Sequence, residues 1–86
     1  MGQVVYILKS ERDESLYVGQ TNNLPRRLEQ HNNPKAKSYT AKRGPWLLVH
    51  CEQHADRKAA MARERFLKSH AGAHEKKKLA GLQAEG

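Results

Sequence analysis

The fold follows from residues 4–21, which read VVYILKSERDESLYVGQT. The first five of them are β-branched, aromatic or aliphatic, which predicts a short buried β-strand. The last six, LYVGQT, predict a second strand, and the polar segment between the two suits a hairpin connection. Tyr6 and Tyr17 lie within these strands, each on a defined face because side chains alternate along a strand. The register that would bring the two tyrosines together stays open.

The rest of the chain predicts one more strand and three helices. Either Asn22 or Asn23 can cap the first helix, Pro25 suits its first turn, and Asp56 can cap the second. The order of elements is therefore β-β-α-β-α-α, which is typical of an α+β fold. The predicted elements beyond the hairpin are a helix from Asn22–Pro25 to about Asn32, a strand over Trp46–Gln53, a helix from Asp56 to about His70, and a short helix over roughly His74–Leu82.

Periodicity also predicts which side chains are packed. On the first helix, Leu24, Leu28 and His31 form one stripe, with Arg27 at its margin and Arg26 facing solvent. On the third strand, Cys51 aligns with Leu47 and Val49, which predicts a packed cysteine rather than a thiol nucleophile. The apolar arc predicted for the second helix consists of Ala59, Ala60, Phe66 and Leu67, with Glu64 at its edge.

Composition restricts the function to a few classes. Eighty-six residues suffice for one small domain, residues 1–86, with a single core. No run resembles a membrane span or a signal peptide, so we expect a soluble cytoplasmic protein. The single cysteine excludes a disulfide scaffold, and without a CxxC pair a zinc ribbon is excluded as well. The net charge of +7 indicates a polyanionic partner, nucleic acid before an acidic protein, with simple solubility as the alternative.

Several residues are suited to phosphate chemistry. Arg27 and His31, four apart on a helix, project side by side, and a guanidinium can bind phosphate while an imidazole moves a proton. The alternative is a buried histidine beside an ordinary surface arginine. Tyr6 and Tyr17 can orient or deprotonate a water, or can simply pack in the core. Glu64 can hold Mg²⁺ together with waters and substrate oxygens, or can form an i,i+4 ion pair with Lys68.

The order of these motifs along the chain resembles the order of the motifs in the GIY-YIG nuclease superfamily. The resemblance covers nearly the whole chain. It is closest to the small stand-alone bacterial proteins of that family, which have no accessory DNA-binding domain. The family implies a small, mainly antiparallel three-stranded sheet flanked by helices. The matching segments are Val4–Leu8, Tyr17–Thr21, Arg26–Asn32, Ser38-Tyr39-Thr40, Gly44-Pro45-Trp46 and Ala62-Arg63-Glu64.

The resemblance also implies roles for single residues. Tyr6 matches the tyrosine that orients the attacking water, and Tyr17 matches the second-motif tyrosine. Arg27 matches the arginine that contacts the phosphate, and His31 matches a His-or-Tyr position of the active site. Glu64 matches the ligand of a single divalent ion, Mg²⁺ or Mn²⁺.

The chain departs from the family pattern at two places. The first motif reads Val-Val-Tyr, which keeps the tyrosine, and no asparagine follows Glu64, although many members have one there. We therefore expect either that the phosphate-facing role of that asparagine passes to Lys76, Lys77 or Lys78, or that the activity is weak. The residues expected to hold the DNA backbone, with low sequence specificity, are Arg26, Lys35, Lys37, Lys42, Arg43, Lys76 and Lys77.

The leading hypothesis is therefore a monomeric, Mg²⁺-dependent endonuclease that hydrolyses phosphodiester bonds in DNA. It acts on branched, damaged or single-stranded forms, in DNA repair or processing. The alternative is a non-catalytic nucleic-acid-binding module that retains the nuclease fold.

Overall fold

The computed structural model describes residues 2–33, 35 and 44–81, which form a three-stranded antiparallel sheet and three helices. The predicted α+β class and the element order are confirmed. The second helix ends two residues before the predicted His70, and the predicted end of the last helix, Leu82, lies outside the described residues. The elements are β1 (Gln3–Ser10), β2 (Leu16–Thr21), α1 (Leu24–Asn32), β3 (Trp46–His54), α2 (Arg57–Lys68) and α3 (Ala73–Leu79).

The caps of both longer helices are among the predicted residues, and of the two candidates for α1 the structure selects Asn23. The Asn23 side chain accepts a hydrogen bond from the backbone N–H of Arg26 at 3.2 Å. The Asp56 side chain accepts one from the backbone N–H of Ala59 at 2.9 Å. Each bond satisfies a backbone donor that the first turn of a helix leaves without a partner, and so fixes where the helix starts.

Strand β1 lies between the other two strands, in the order β2-β1-β3, and is covered on both faces. Val5 and Ile7 are fully buried in one cluster of the core, which is completed by Val18 of β2 and by Ala60 and Leu67 of α2. The other face of β1 carries a second cluster that contains the first-motif tyrosine. Its members are Tyr6, Leu8 and Trp46, with Tyr17, Leu24 and Leu28 packed against them.

A β-bulge in β3 makes one sequence prediction wrong. Ile7 pairs with His50 but Leu8 pairs with Leu48, so the ladder skips Val49. The extra residue reverses the alternation of side chains beyond it. Cys51, which was predicted to pack beside Val49, is consequently opposite Tyr6 in the ladder and exposed to solvent.

The predicted apolar arc of α2 is only half correct. Ala60 and Leu67, two turns apart on one face, are buried, whereas Ala59 and Phe66 are exposed. The guanidinium of Arg63 lies 5.9 Å from the centre of the Phe66 ring, which therefore covers a charged group at the surface instead of entering the core.

Arg63 is held by the sheet. Its Nε donates to Glu52 Oε1 at 2.6 Å, and the same carboxylate binds the ring nitrogens of His50 and His54. Burial raises the pKa of Glu52, but the hydrogen bonds from Arg63, His50 and His54 outweigh that effect and lower the pKa to about 2. This cluster ties α2 to β3 on the face of the sheet opposite Tyr6.

None of the helices within the described ranges has both the length and the apolar character needed to cross a membrane.

Candidate active site

The centre of the candidate site is a buried pair formed by Tyr6 of β1 and His31 of α1. The Tyr6 hydroxyl and His31 Nε2 lie 2.9 Å apart and form a hydrogen bond. Both residues are buried, with 1% and 5% of their surfaces exposed. The predicted stripe of α1 is confirmed, because Leu24 and Leu28 pack on the same cluster and direct His31 towards the sheet.

Tyr17 completes an aromatic cluster around this pair. Its ring centre lies 4.9 Å from that of His31 and 6.3 Å from that of Tyr6. The register left open by the sequence explains this spacing: Tyr6 pairs with Gly19 and Leu8 pairs with Tyr17. The two tyrosines are therefore diagonal neighbours on one face of the sheet.

Gly19 makes room for the Tyr6 phenol. A Cβ atom at this position would lie 2.5 Å from the Tyr6 hydroxyl oxygen, 2.7 Å from Tyr6 Cζ and 3.0 Å from Tyr17 Cε2. Sequence analysis did not single out Gly19, although a glycine inside a strand often marks a close approach of another group. The hydroxyl of Tyr6 can reach His31 only because this position has no side chain.

The substitution Gly19→Ala is expected to displace the Tyr6 phenol and to lower activity more than stability. A displacement of about 1 Å at a reacting group costs on the order of 10²-fold in rate. The measurement is the DNA cleavage rate together with the melting temperature. Gly2→Ala is the matched control, since its added methyl group would meet Gln53 Oε1 and the His54 carbonyl at a milder 3.3 Å. Cleavage by Gly19→Ala at the wild-type rate would contradict this assignment.

Burial and nearby charges set the protonation of the central pair. Burial, followed by the neighbouring Tyr17, raises the pKa of Tyr6; Arg27 acts in the opposite direction, and Glu64 adds a smaller increase. Burial and then Arg27 lower the pKa of His31. At neutral pH the phenol therefore keeps its proton and the imidazole is uncharged. Such a pair can pass a proton from the hydroxyl to the ring nitrogen.

Arg26 and Arg27, the two arginines of α1, differ in their electrostatic effect on the Tyr6–His31 pair. Arg27 acts on the pKa values of both Tyr6 and His31, whereas Arg26 is not among the causes of either shift. The side chains of both are exposed, and Arg27 Nη1 donates to Gln30 Oε1 at 3.4 Å. The helical periodicity predicted Arg27 at the margin of the buried stripe; its side chain is exposed, like that of Arg26, and it affects the buried pair through its charge. It also lines a hollow of about 440 Å³ with Gln3, Gln20, Thr21, Asn22 and Arg57.

Glu64, on α2, contacts Gln20, which also lines the hollow beside Arg27. Glu64 Oε1 accepts a hydrogen bond from Gln20 Nε2 of β2 at 3.0 Å, and its Oε2 pairs with Lys68 Nζ at 2.7 Å. The side chain is 19% exposed. The ion pair with Lys68, weighed above as the ordinary alternative, is therefore present, and it coexists with the bond to Gln20. Glu64 opens onto a hollow of about 430 Å³ lined also by Gln20, Met61, Arg65, Lys68 and Ser69.

Gln20, like Gly19, belongs to the candidate site although the sequence did not point to it. It lines both hollows and so links the Arg27 side of the site to the Glu64 side. The only signal in the sequence is its position in LYVGQT, one residue after Gly19 and on the opposite face of β2.

Glu64 is suited to an oxygen-ligated divalent ion. Among residues 2–33, 35 and 44–81, no three histidine, cysteine or acidic side chains are arranged to hold a metal. A metal held by Glu64 would complete its coordination with waters and substrate oxygens, which Mg²⁺ accepts. Glu64 Oε2 already has a cationic partner, the Lys68 ammonium ion.

Only part of the predicted DNA-binding set can be located. Arg26 and Lys35 are exposed near α1, and Lys76 and Lys77 lie on α3, which packs against α2. Their roles stay predictions. Lys37, Lys42 and Arg43 lie outside the described residues, as does the Ser38-Tyr39-Thr40 motif.

Comparisons with known proteins agree on one family. Residues 3–78 match the model of the GIY-YIG catalytic domain. A UPF0213 protein of Clostridium perfringens is 48% identical over 64 residues, which cover 74% of this chain and 68% of that protein. A UPF0213 protein of Haloquadratum walsbyi is 44% identical over 66 residues, which cover 77% and 73% of the two chains. The solution NMR structure of a UPF0213 protein from Bacillus halodurans is 35% identical, with a TM-score of 0.57, and covers 96% of this chain and 86% of that one.

Proposed function

This chain belongs to the GIY-YIG catalytic-domain family, a family of nuclease domains, and we propose that it is an endonuclease that hydrolyses phosphodiester bonds in DNA. In this proposal the enzyme uses one Mg²⁺ or Mn²⁺ ion held by Glu64. The observation that carries the proposal is the buried hydrogen bond between Tyr6 and His31, with Arg27 and Glu64 close enough to act on the same phenol.

The proposed chemistry begins with the attacking water. Tyr6 takes a proton from the water through its hydroxyl oxygen, while the hydroxyl proton passes to His31 Nε2 over the 2.9 Å bond. The phenol is therefore a relay and never has to exist as a free phenolate, which its raised pKa disfavours. The water oxygen forms a bond to phosphorus as the bond from phosphorus to the 3′ oxygen breaks.

Negative charge on the phosphate must be neutralised while the water attacks and the 3′ oxygen leaves. Arg27 supplies positive charge, with a guanidinium that can bind two phosphate oxygens. A divalent ion on Glu64, when bound, would stabilise the negative charge of the leaving 3′ oxygen. The Tyr17 ring packs against both His31 and Trp46, with ring centres 4.9 Å and 6.1 Å away.

The proposed substrate class follows from the charge of the chain. Sixteen lysines and arginines and few aromatics favour contacts with the phosphate backbone over the reading of base edges. Selectivity would then come from the shape of the DNA, as for branched, damaged or single-stranded forms, which suits DNA repair or processing.

The second candidate is a binding module without catalysis. It is favoured by the absence of any asparagine after Glu64 in the sequence. Such a module would bind DNA in a salt-dependent way, since each neutralised phosphate releases counterions, but it would not nick it.

Nicking of supercoiled plasmid with Mg²⁺ separates the two candidates. We expect nicked circles to accumulate with Mg²⁺, to disappear with EDTA, and to return when Mg²⁺ is restored, because the ion supplies part of the stabilisation of the transition state. A Tyr6→Phe protein, purified in the same way, is the control for a contaminating nuclease. DNA binding without nicking in any of these conditions would select the binding module.

A further inference from the structure

The two oxygens of the Glu64 carboxylate have partners of different kinds. Oε1 accepts from the neutral amide of Gln20 at 3.0 Å, and Oε2 pairs with the Lys68 ammonium ion at 2.7 Å. We propose that Lys68 is an exchangeable counter-ion of Glu64, which a divalent cation replaces at Oε2, while Gln20 keeps Oε1 and acts as a positioning residue. This inference rests on the proposed function, because it assumes that Glu64 binds the metal.

The amide of Gln20 has a fixed orientation. Gln3 Nε2 donates to Gln20 Oε1 at 3.1 Å, so the nitrogen end of the Gln20 amide is the end that faces Glu64. The chain of bonds joins β1, β2 and α2 and holds one carboxylate oxygen in place. A neutral donor does not repel an incoming cation as a charged one does, so this bond and a bound metal are compatible.

Lys68 is suited to leave. Its side chain is 51% exposed, and the ammonium ion sits at the end of a flexible four-carbon stem that can swing into water at little cost. Ion pairs at i,i+4 on a helix are weak, and although the Glu64 side chain is only 19% exposed, the Lys68 end of the pair is open to water.

Electrostatic repulsion allows only one cation at a time to bind Glu64 Oε2. An ammonium ion and a divalent ion on the same oxygen would be a few ångströms apart, and they would repel each other more strongly than two monovalent ions. Binding of the metal therefore requires that Lys68 move away. It follows that Lys68 sets the concentration of metal at which the site fills.

Binding of Mn²⁺ to the DNA-free protein, measured by electron paramagnetic resonance, tests the exchange without any use of activity. Lys68→Met removes the competing charge but keeps the apolar stem, and we expect it to bind Mn²⁺ about two- to fivefold more tightly than wild type. Arg65→Met is the matched control, because Arg65 lines the same hollow. Gln20→Met should bind more weakly than wild type, and Glu64→Gln should lose the site.

Each outcome has one meaning. If Lys68→Met gains no more affinity than Arg65→Met, the exchange is wrong, and if Gln20→Met binds as wild type does, Gln20 does not position the carboxylate. If Glu64→Gln binds Mn²⁺ as wild type does, the metal centre of the proposed function is itself wrong, and the exchange is wrong with it. As a measurement on the unmutated protein, the ¹⁵N resonance of the Lys68 ammonium group should shift as Mg²⁺ fills the site. An unchanged resonance at saturation would overturn the exchange.

Discussion

Replacement of Glu64 by glutamine is expected to stop DNA cleavage while leaving the protein folded. Glutamine keeps the shape of the side chain and an oxygen that can accept from Gln20, but it has no charge with which to hold a divalent cation. A metal contributes several kcal/mol to the stabilisation of the transition state, so its loss should lower the rate by about 10³-fold or more. The measurement is Mg²⁺-dependent nicking of supercoiled plasmid by equal amounts of the two proteins.

Stability and DNA binding separate this role from a structural one. The lost ion pair with Lys68 is worth only a few tenths of a kcal/mol, so the melting temperature should hardly change. DNA affinity without metal should rise slightly, because a negative charge near the phosphate is removed. Glu75→Gln, which removes a carboxylate that binds Arg63 instead, should cleave at the wild-type rate. A Glu64→Gln protein that nicks as fast as wild type would refute the assignment of the metal ligand.

Arg27→Ala is expected to lower the cleavage rate by about 10²–10³-fold, whereas Arg26→Ala should only weaken DNA binding. The two residues are adjacent on α1, have the same charge and are both exposed. They differ in that Arg27, and not Arg26, lines the hollow beside Gln20, and its positive charge lowers the pKa values of Tyr6 and His31. Single-turnover cleavage at saturating DNA measures the rate apart from binding.

Each arginine is thus the control for the other. Arg26→Ala should recover the wild-type rate once DNA is saturating, and Arg27→Ala should not. Equal losses from the two substitutions would mean that α1 contributes only general positive charge, and the assignment of Arg27 to the reacting phosphate would then be wrong.

Local patterns in the sequence were enough to predict where the helices and strands lie, because capping residues and side-chain alternation act within a few residues of the chain. Asp56 caps the helix that it was predicted to cap, Asn23 is one of the two caps predicted for α1, and β2 covers the predicted residues. The pairing of the strands could not be predicted from such local patterns. The bulge that exposes Cys51 arises from the pairing of β3 with β1, which are about forty residues apart in the chain, and no periodicity within β3 reports it.

The candidate site was predictable to the extent that the family resemblance supplied it. That resemblance named Tyr6 and Glu64, but the spacing of residues could not show that His31 reaches the Tyr6 hydroxyl. This contact depends on the packing of α1 on the sheet and on the space left by Gly19. Gln20 was missed for a similar reason, since its bond to Glu64 joins residues 44 positions apart.

The central place of β1 in the sheet also bears on the synthesis of the protein. β1 leaves the ribosome before both of its partners and can form a hairpin with β2 at once, but its other edge has no partner until β3 has emerged. Glu64 emerges later still, on α2. The growing chain thus carries Arg26 and Arg27 well before the carboxylate that cleavage requires. On the proposed chemistry, an unfinished chain can adhere to nucleic acid but cannot cut it.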